Sequence, residues 1–243
     1  MNAFALKIIA LIAMIIDHVG VVFPLGFEFR VVGRLAFPIY VFLVAEGFRY
    51  TKSHTKFLVR LFAFAIISEP LFDMVIHGAH FPGGVNFFAD TNIFYTLFLG
   101  GAAITAYEWI RTRYLTTAGK IPFIISAFAL LFAFMWLAEF TLTTDYGAYG
   151  VVFIFSMYLI RHKKLRLIIM AILCVWQHNW VLRFAFSEGI QSVPILFWML
   201  IPATLVTVLL AAFYNGKRGP SFKWFFYASY PVHLAVLALV ASF

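Results

Sequence analysis

Long apolar runs separated by short basic links set the pattern of this chain. About nine runs can be marked, at approximately 3–23, 31–48, 57–77, 92–110, 121–139, 147–160, 165–184, 193–213 and 224–242. Within them apolar residues are continuous rather than alternating, which predicts helices and argues against barrel strands. Most approach the length a helix needs to cross hydrocarbon. The links are short and basic, such as KSHTK at 52–56, RHKK at 161–164 and NGKRGPS at 215–221. The longest, HGAHFPGGVNFFADT at 77–91, is rich in glycine and aromatic residues and is expected to fold back as a lid. The pattern predicts an all-α polytopic transmembrane bundle of about nine spans, forming a single domain over 1–243.

Composition agrees. Of 243 residues 64% are hydrophobic and only 12% charged, with a mean hydropathy of +0.96, far above the apolar share of soluble domains. The first run has only Lys7 near its start and no small-residue cleavage site behind it, so a retained span is expected rather than a removable signal peptide. Cys174 is the single cysteine, lies in an apolar run and reads as a packing residue.

Charge sets the orientation. Lys7 and the basic residues flanking four links, among them Arg49, Lys52, Lys56, Arg60, Arg111, Arg161, Lys217 and Arg218, put fifteen of the eighteen Lys and Arg on one side, with Arg30, Arg34 and Arg183 on the other. The positive-inside rule then predicts a cytoplasmic amino terminus and an outer carboxyl terminus. The net charge of +8 is explained by orientation and anionic headgroups, so no nucleic-acid partner is expected.

The acidic residues run the other way, with Asp17, Glu69 and Asp73 in the outer half and Glu46 in the inner half. Asp17 and His18 stand inside the first apolar run, where an aspartate at helix centre costs roughly 2.5–3.5 kcal/mol on insertion scales. Arg34 enters the second run from the outer face. Glu69, Asp73 and His77 recur at intervals of four on one face of the third, while Asn92, Tyr95 and Thr96 open the fourth at matching depth. Several helices thus bring polar groups to one layer, which must line a cavity or an internal cluster because ionised groups cannot face lipid. Pro38 and Pro70 deprive the carbonyls of Arg34 and Ile66 of their helical donors and suit a cavity wall.

Histidine beside a carboxylate is suited to general-base work, because its ordinary pKa lies near neutrality and the acid fixes its tautomer. His18 is the candidate base. Adjacent helical residues point about 100° apart, so the acid holding it is either Asp17 or one of Glu69 and Asp73. Arg34 either stabilises an oxyanion or forms a structural ion pair with Asp17 or Asp73. In the last run Tyr230 and His233 share a face beside Pro231. His178, in WQHNW, reads as structural. His77 and His80 lack the spacing of a metal site, and no metal is expected.

The segments LKIIALIAMIIDHVG, GRLAFPIYVFLVAEGFRYT, FLVRLFAFAIISEPLFD, NIFYTLFLG, YGAYGVVFIF and FFYASYPVHLAVL resemble, in order, the TraX family of integral membrane proteins, named for the conjugative F-pilin N-acetylase. The likeness covers most of the chain and weakens in the fifth, seventh and eighth runs. It implies a multi-pass protein of the bacterial inner membrane that takes acetyl-CoA as donor and an amine or hydroxyl acceptor, such as a pilin amino terminus or a glycan. It implies functional positions at Asp17, His18, Arg34, Glu46, Glu69, Asp73, Asn92, Thr96, Tyr146, Gly147, Gly150, Tyr230, Pro231 and His233. On this reading Asp17, His18, Arg34, Glu69 and Asp73 are catalytic, with His18 either the base or an acyl carrier. Glu46, Asn92, Thr96, Tyr230 and His233 lie on the donor side, and Arg49, Lys52 and Arg60 draw the donor's phosphates at the inner helix ends. Two readings of other classes compete: a proton-coupled transporter, weakened by the lack of visible inverted repeats, and a non-catalytic pilus assembly factor.

Overall fold

The computed structural model describes residues 1–23, 25–78, 85–88, 90–117 and 119–241, with the side chains of 114–117 left out of the description. Every regular element among them is helical. In chain order they are α1 (Ala3–Val22), α2 (Phe27–Gly33), α3 (Ala36–Tyr50), α4 (His54–Ile76), α5 (Ile93–Thr117) and α6 (Lys120–Trp136), the last extended by a π-turn over Leu137–Thr141. There follow α7 (Gly147–Leu159), α8 (Lys163–Trp176), α9 (Asn179–Glu188), α10 (Ile195–Trp198), α11 (Leu200–Ala212) and α12 (Lys223–Ala241).

Among the described residues, six stretches are long and apolar enough to cross a membrane: α1, α2 with α3, most of α5, α6 with its π-turn, α10 with α11, and α12. The pair α8 and α9, bent by 49°, makes a seventh if it counts as one span. Each of the nine apolar runs is helical, but two fall short of a span by length and composition. α4 has 23 residues, and Arg60, Glu69 and Asp73 hold down its hydropathy; α7 has only 13.

The chain forms two compact units, Met1–Leu43 with Ile160–Phe243, and Val44–Leu159. In the first, Asn2 caps α1 by accepting from the Ala5 amide at 2.9 Å. The amino terminus is tied to the α11–α12 link: the Met1 ammonium donates to the Phe213 carbonyl at 2.6 Å, and the amides of Ala3 and Phe4 donate to the carbonyls of Lys217 and Arg218 at 2.9 and 3.1 Å. Met1 and Lys217 therefore lie at the same end of this unit. The second apolar run is broken at Arg34 and Leu35, where Pro38 has no N–H for the Arg34 carbonyl and its ring crowds that oxygen. Between α8 and α11, the Cys174 thiol meets the Thr207 hydroxyl at 3.7 Å, so this buried cysteine packs two helices together.

In the second unit, Ser53 caps α4 and Asn92 caps α5 through the Phe94 amide at 2.9 Å. Glu139, in the π-turn, accepts from the Ala148 amide at 2.9 Å and so caps α7. Gly147 is required beside it: its φ is +48°, and a Cβ would strike the Glu139 carboxylate. α6 buries none of its residues, and Ile121, Ile125, Phe128 and Phe132 are exposed along it, as suits a helix against acyl chains.

Candidate functional site

α1 and α12 bring two histidines together inside the first unit. Nδ1 of His18 lies 2.7 Å from Nε2 of His233, and Nδ1 of His233 lies 2.9 Å from the Ser229 carbonyl oxygen. The ring planes differ by 16° with centroids 4.9 Å apart. That separation is what two rings joined edge to edge by one short N···N contact give, so the hydrogen bond lies in both ring planes and the rings are not stacked face to face. Buried Tyr230 stands edge-on to both, at 5.3 Å from His233 and 6.0 Å from His18.

Asp17, one residue before His18, turns toward α2. Its Oδ2 accepts from Arg30 Nη1 at 2.8 Å and its Oδ1 from Arg34 Nη2 at 3.2 Å, while Arg34 Nε donates to the Arg30 carbonyl at 3.2 Å. Gly33 makes this approach possible, because a Cβ there would overlap the Asp17 carboxylate. Two guanidiniums on one carboxylate leave the cluster with a net positive charge, and both act electrostatically on His18. Of the acids offered for His18, Asp17 is taken up by two arginines, and among the described residues of this unit the hydrogen-bond partner of His18 is His233. The Arg34 to Asp17 ion pair, one of two alternatives, is present.

Two contributors escaped sequence reasoning. Arg30 precedes the apolar run and reads as a loop base, although its spacing of four from Arg34 was the signal for a shared helix face. His178, at the break between α8 and α9, is buried, its Nε2 has no hydrogen-bond partner among the described residues, and it lies within electrostatic reach of Arg34. The polar string WQHNW interrupting an apolar run was its signal.

The second unit gathers Glu69, Asp73, Asn92 and Thr96 near the outer ends predicted for their runs. Glu69 is fully buried; its Oε2 accepts from the Asn92 amide at 3.1 Å and from Asn92 Nδ2, and its Oε1 has no partner among the described residues. Asp73 accepts from His77 Nδ1 at 3.2 Å and from the Asn86 amide at 2.7 Å. Thr96 Oγ1 donates to Thr144 Oγ1 at 3.0 Å and so ties the start of α5 to the α6–α7 link. Of the lid expected over 77–91, residues 79–84 and 89 lie outside the described residues, His80 among them.

Toward the other end of this unit, Glu46 accepts from Arg49 at 2.9 Å, and the Arg49 guanidinium also donates to the Met157 and Tyr158 carbonyls at 2.8 and 2.6 Å. Arg49 is thus a cap for the carboxyl end of α7. Arg60 lies over the Phe57 ring, and Lys52 is exposed.

The family model described as TraX protein matches residues 3–241. The chain belongs to the TraX family. A relative from Dichelobacter nodosus, named probable fimbrial assembly protein FimC, serogroup H1, is 32% identical over all of this chain and 96% of its own length. An uncharacterized protein of Rickettsia prowazekii (strain Madrid E), RP591, is 26% identical over 67% of this chain and 57% of its own. No solved structure matches. Six candidate spans in a TraX chain make this a membrane protein.

Proposed function

We propose that this TraX protein is a pilus-associated acetyltransferase of the bacterial inner membrane, moving an acetyl group from acetyl-CoA to an amine, or a hydroxyl, with His18 as general base. The observation that carries the reading is an imidazole pair, half-buried His18 and buried His233, beside a cluster of two guanidiniums and one carboxylate, on helices that include candidate membrane spans. Such groups are costly in a membrane and are kept for chemistry or transport. The name of the Dichelobacter relative supports the pilus setting, and a pilin amino terminus is the favoured acceptor.

Bound acetyl-CoA supplies an activated carbonyl. His18 takes the proton of the attacking amine, and the net positive charge of the Arg30, Asp17 and Arg34 cluster favours the oxyanion that develops on the carbonyl; collapse of that oxyanion breaks the carbon–sulfur bond, and the CoA thiolate leaves with the proton returned by His18. The proposed topology has about nine crossings, with α4 and α7 completed by their neighbours, an inner amino terminus and an outer carboxyl terminus. The tie between Met1 and the basic α11–α12 link supports the amino terminus and that link sharing one side.

The test uses membranes with and without the protein, isotopically labelled acetyl-CoA and a pilin-derived amine, read by mass spectrometry. Labelled acetyl on the amine only where the protein is present is expected. Pilus assembly that depends on the protein without any labelled product contradicts the enzymatic reading and leaves an assembly factor.

A further inference from the structure

From the His18–His233 geometry we infer that His233 is a positioning residue that fixes His18 in its Nδ1–H form, presents His18 Nε2 as the reacting lone pair, and takes up the charge when that lone pair is protonated. The inference deepens the acetyltransferase reading and rests on it for its mechanistic meaning, but the tautomer itself stands on geometry.

The role of one atom, His233 Nδ1, is fixed by its partner. A carbonyl oxygen only accepts hydrogen bonds, so the contact of His233 Nδ1 with the Ser229 carbonyl at 2.9 Å places a hydrogen on that nitrogen. A neutral imidazole carries one ring hydrogen, which leaves His233 Nε2 with a lone pair. That lone pair lies 2.7 Å from His18 Nδ1, nearly in the plane of both rings, so His18 Nδ1 is the donor. The single hydrogen of neutral His18 is then used, and Nε2 is its bare nitrogen. No hydrogen bond from the described residues engages that nitrogen.

The arrangement differs from the usual orientation of a base by a carboxylate. The carboxylate adjacent in sequence, Asp17, is neutralised by Arg30 and Arg34, and a second imidazole stands in its place. The consequence is a relay. When His18 Nε2 takes a proton from the acceptor nitrogen, the Nδ1 hydrogen passes along the in-plane bond to His233 Nε2. His18 is then neutral with its hydrogen on Nε2, and His233 is an imidazolium donating to His18 Nδ1 and to the Ser229 carbonyl. One proton enters at one end, none is lost, and the positive charge rests one ring farther from the arginines. Delivery of the proton from His18 Nε2 to the departing CoA thiolate draws the Nδ1 hydrogen back from His233 and restores both rings. Pro231 lies within α12 two residues before His233, and Tyr230 packs edge-on against both rings, so the second imidazole is set by a helix that carries its own irregularity.

The experiment uses the full chain in lipid nanodiscs, labelled with nitrogen-15 at histidine and assigned with His18→Ala and His233→Leu. In the unliganded wild type His18 Nδ1 is expected to resonate as a protonated ring nitrogen and Nε2 as an unprotonated one. His233→Leu is expected to mix the two forms of His18. His233→Gln, whose side-chain carbonyl can accept from His18 Nδ1, is expected to restore the wild-type form. In the transfer assay His233→Leu is expected to lose about 10- to 100-fold in kcat with little change in KM for acetyl-CoA, and His233→Gln to recover most of it. A wild-type spectrum with the hydrogen on His18 Nε2, or a His18 tautomer unchanged in His233→Leu, overturns the inference. Absence of acetyl transfer in the wild type, with the spectrum as expected, instead overturns the enzymatic reading and leaves the tautomer standing.

Discussion

His18 and His233, 215 positions apart, meet through a 2.7 Å contact between Nδ1 and Nε2. Neither histidine is placed by its own helix alone. α1 and α12 must pack for the contact to exist, so the state of this pair reports on the assembly of the first unit as well as on its chemistry.

Asp17→Ala removes the counter-charge shared by Arg30 and Arg34. Arg34 and Asp17 are both largely shielded from solvent, so the loss is expected to be about 3–5 kcal/mol, the scale for stripping a partner from a buried charge. Thermal unfolding in detergent checks this, and Arg30→Gln, at the more exposed partner, is expected to cost clearly less. Equal losses for the two variants contradict the assignment of Asp17 as the hub.

Gly33→Ala alters no titratable group, yet its new Cβ would occupy the space of the Asp17 carboxylate. Overpacking of this kind costs about 1–3 kcal/mol. The expected outcome is a lowered melting temperature together with reduced transfer, because the displaced carboxylate shifts both arginines. Unchanged stability and activity would mean that α1 and α2 approach less closely than described.

In the second unit, Glu69→Leu leaves the buried backbone N–H of Asn92 and one of its two side-chain N–H groups without their acceptor, the other still donating to the Ala65 carbonyl, at about 1–3 kcal/mol for each group left unsatisfied. Glu69→Gln keeps an acceptor oxygen in place and is expected to restore most of the stability. Denaturation of both variants, compared with Asn92→Ala, tests whether one shared contact is at stake: the Glu69→Leu and Asn92→Ala losses should fail to add.

Much of this site was legible because charge inside an apolar run is conspicuous. Asp17, His18 and Arg34 stood out on those grounds, and Pro38 located the break between α2 and α3. The His18–His233 pairing was not legible, since no local periodicity relates a residue of α1 to one of α12. Arg49 read as a basic side chain at an inner helix end that draws the donor's phosphates, and the structure turns it onto the last carbonyls of α7, a contact no local pattern encodes. All nine apolar runs are helical, and six or seven of the described stretches are long and apolar enough to cross a membrane. An apolar run marks a buried or lipid-facing helix without separating the 13 residues of α7 from a full span.

Topology can be read by single-cysteine labelling in a Cys174→Ala background. Cysteines at Asn2 and at Lys217 are expected to react with a membrane-impermeant maleimide only from the cytoplasmic side, and one at Ser242 only from outside. Labelling of Asn2 and Lys217 from opposite sides contradicts the tie between Met1 and the α11–α12 link.

The central claim is that His18 is the base. In proteoliposomes with labelled acetyl-CoA and a pilin-derived amine, His18→Ala is expected to lower acetyl transfer by about 10²- to 10⁴-fold, the usual worth of a general base, while the protein retains its wild-type unfolding profile. A folded His18→Ala protein that transfers acetyl at the wild-type rate contradicts the account.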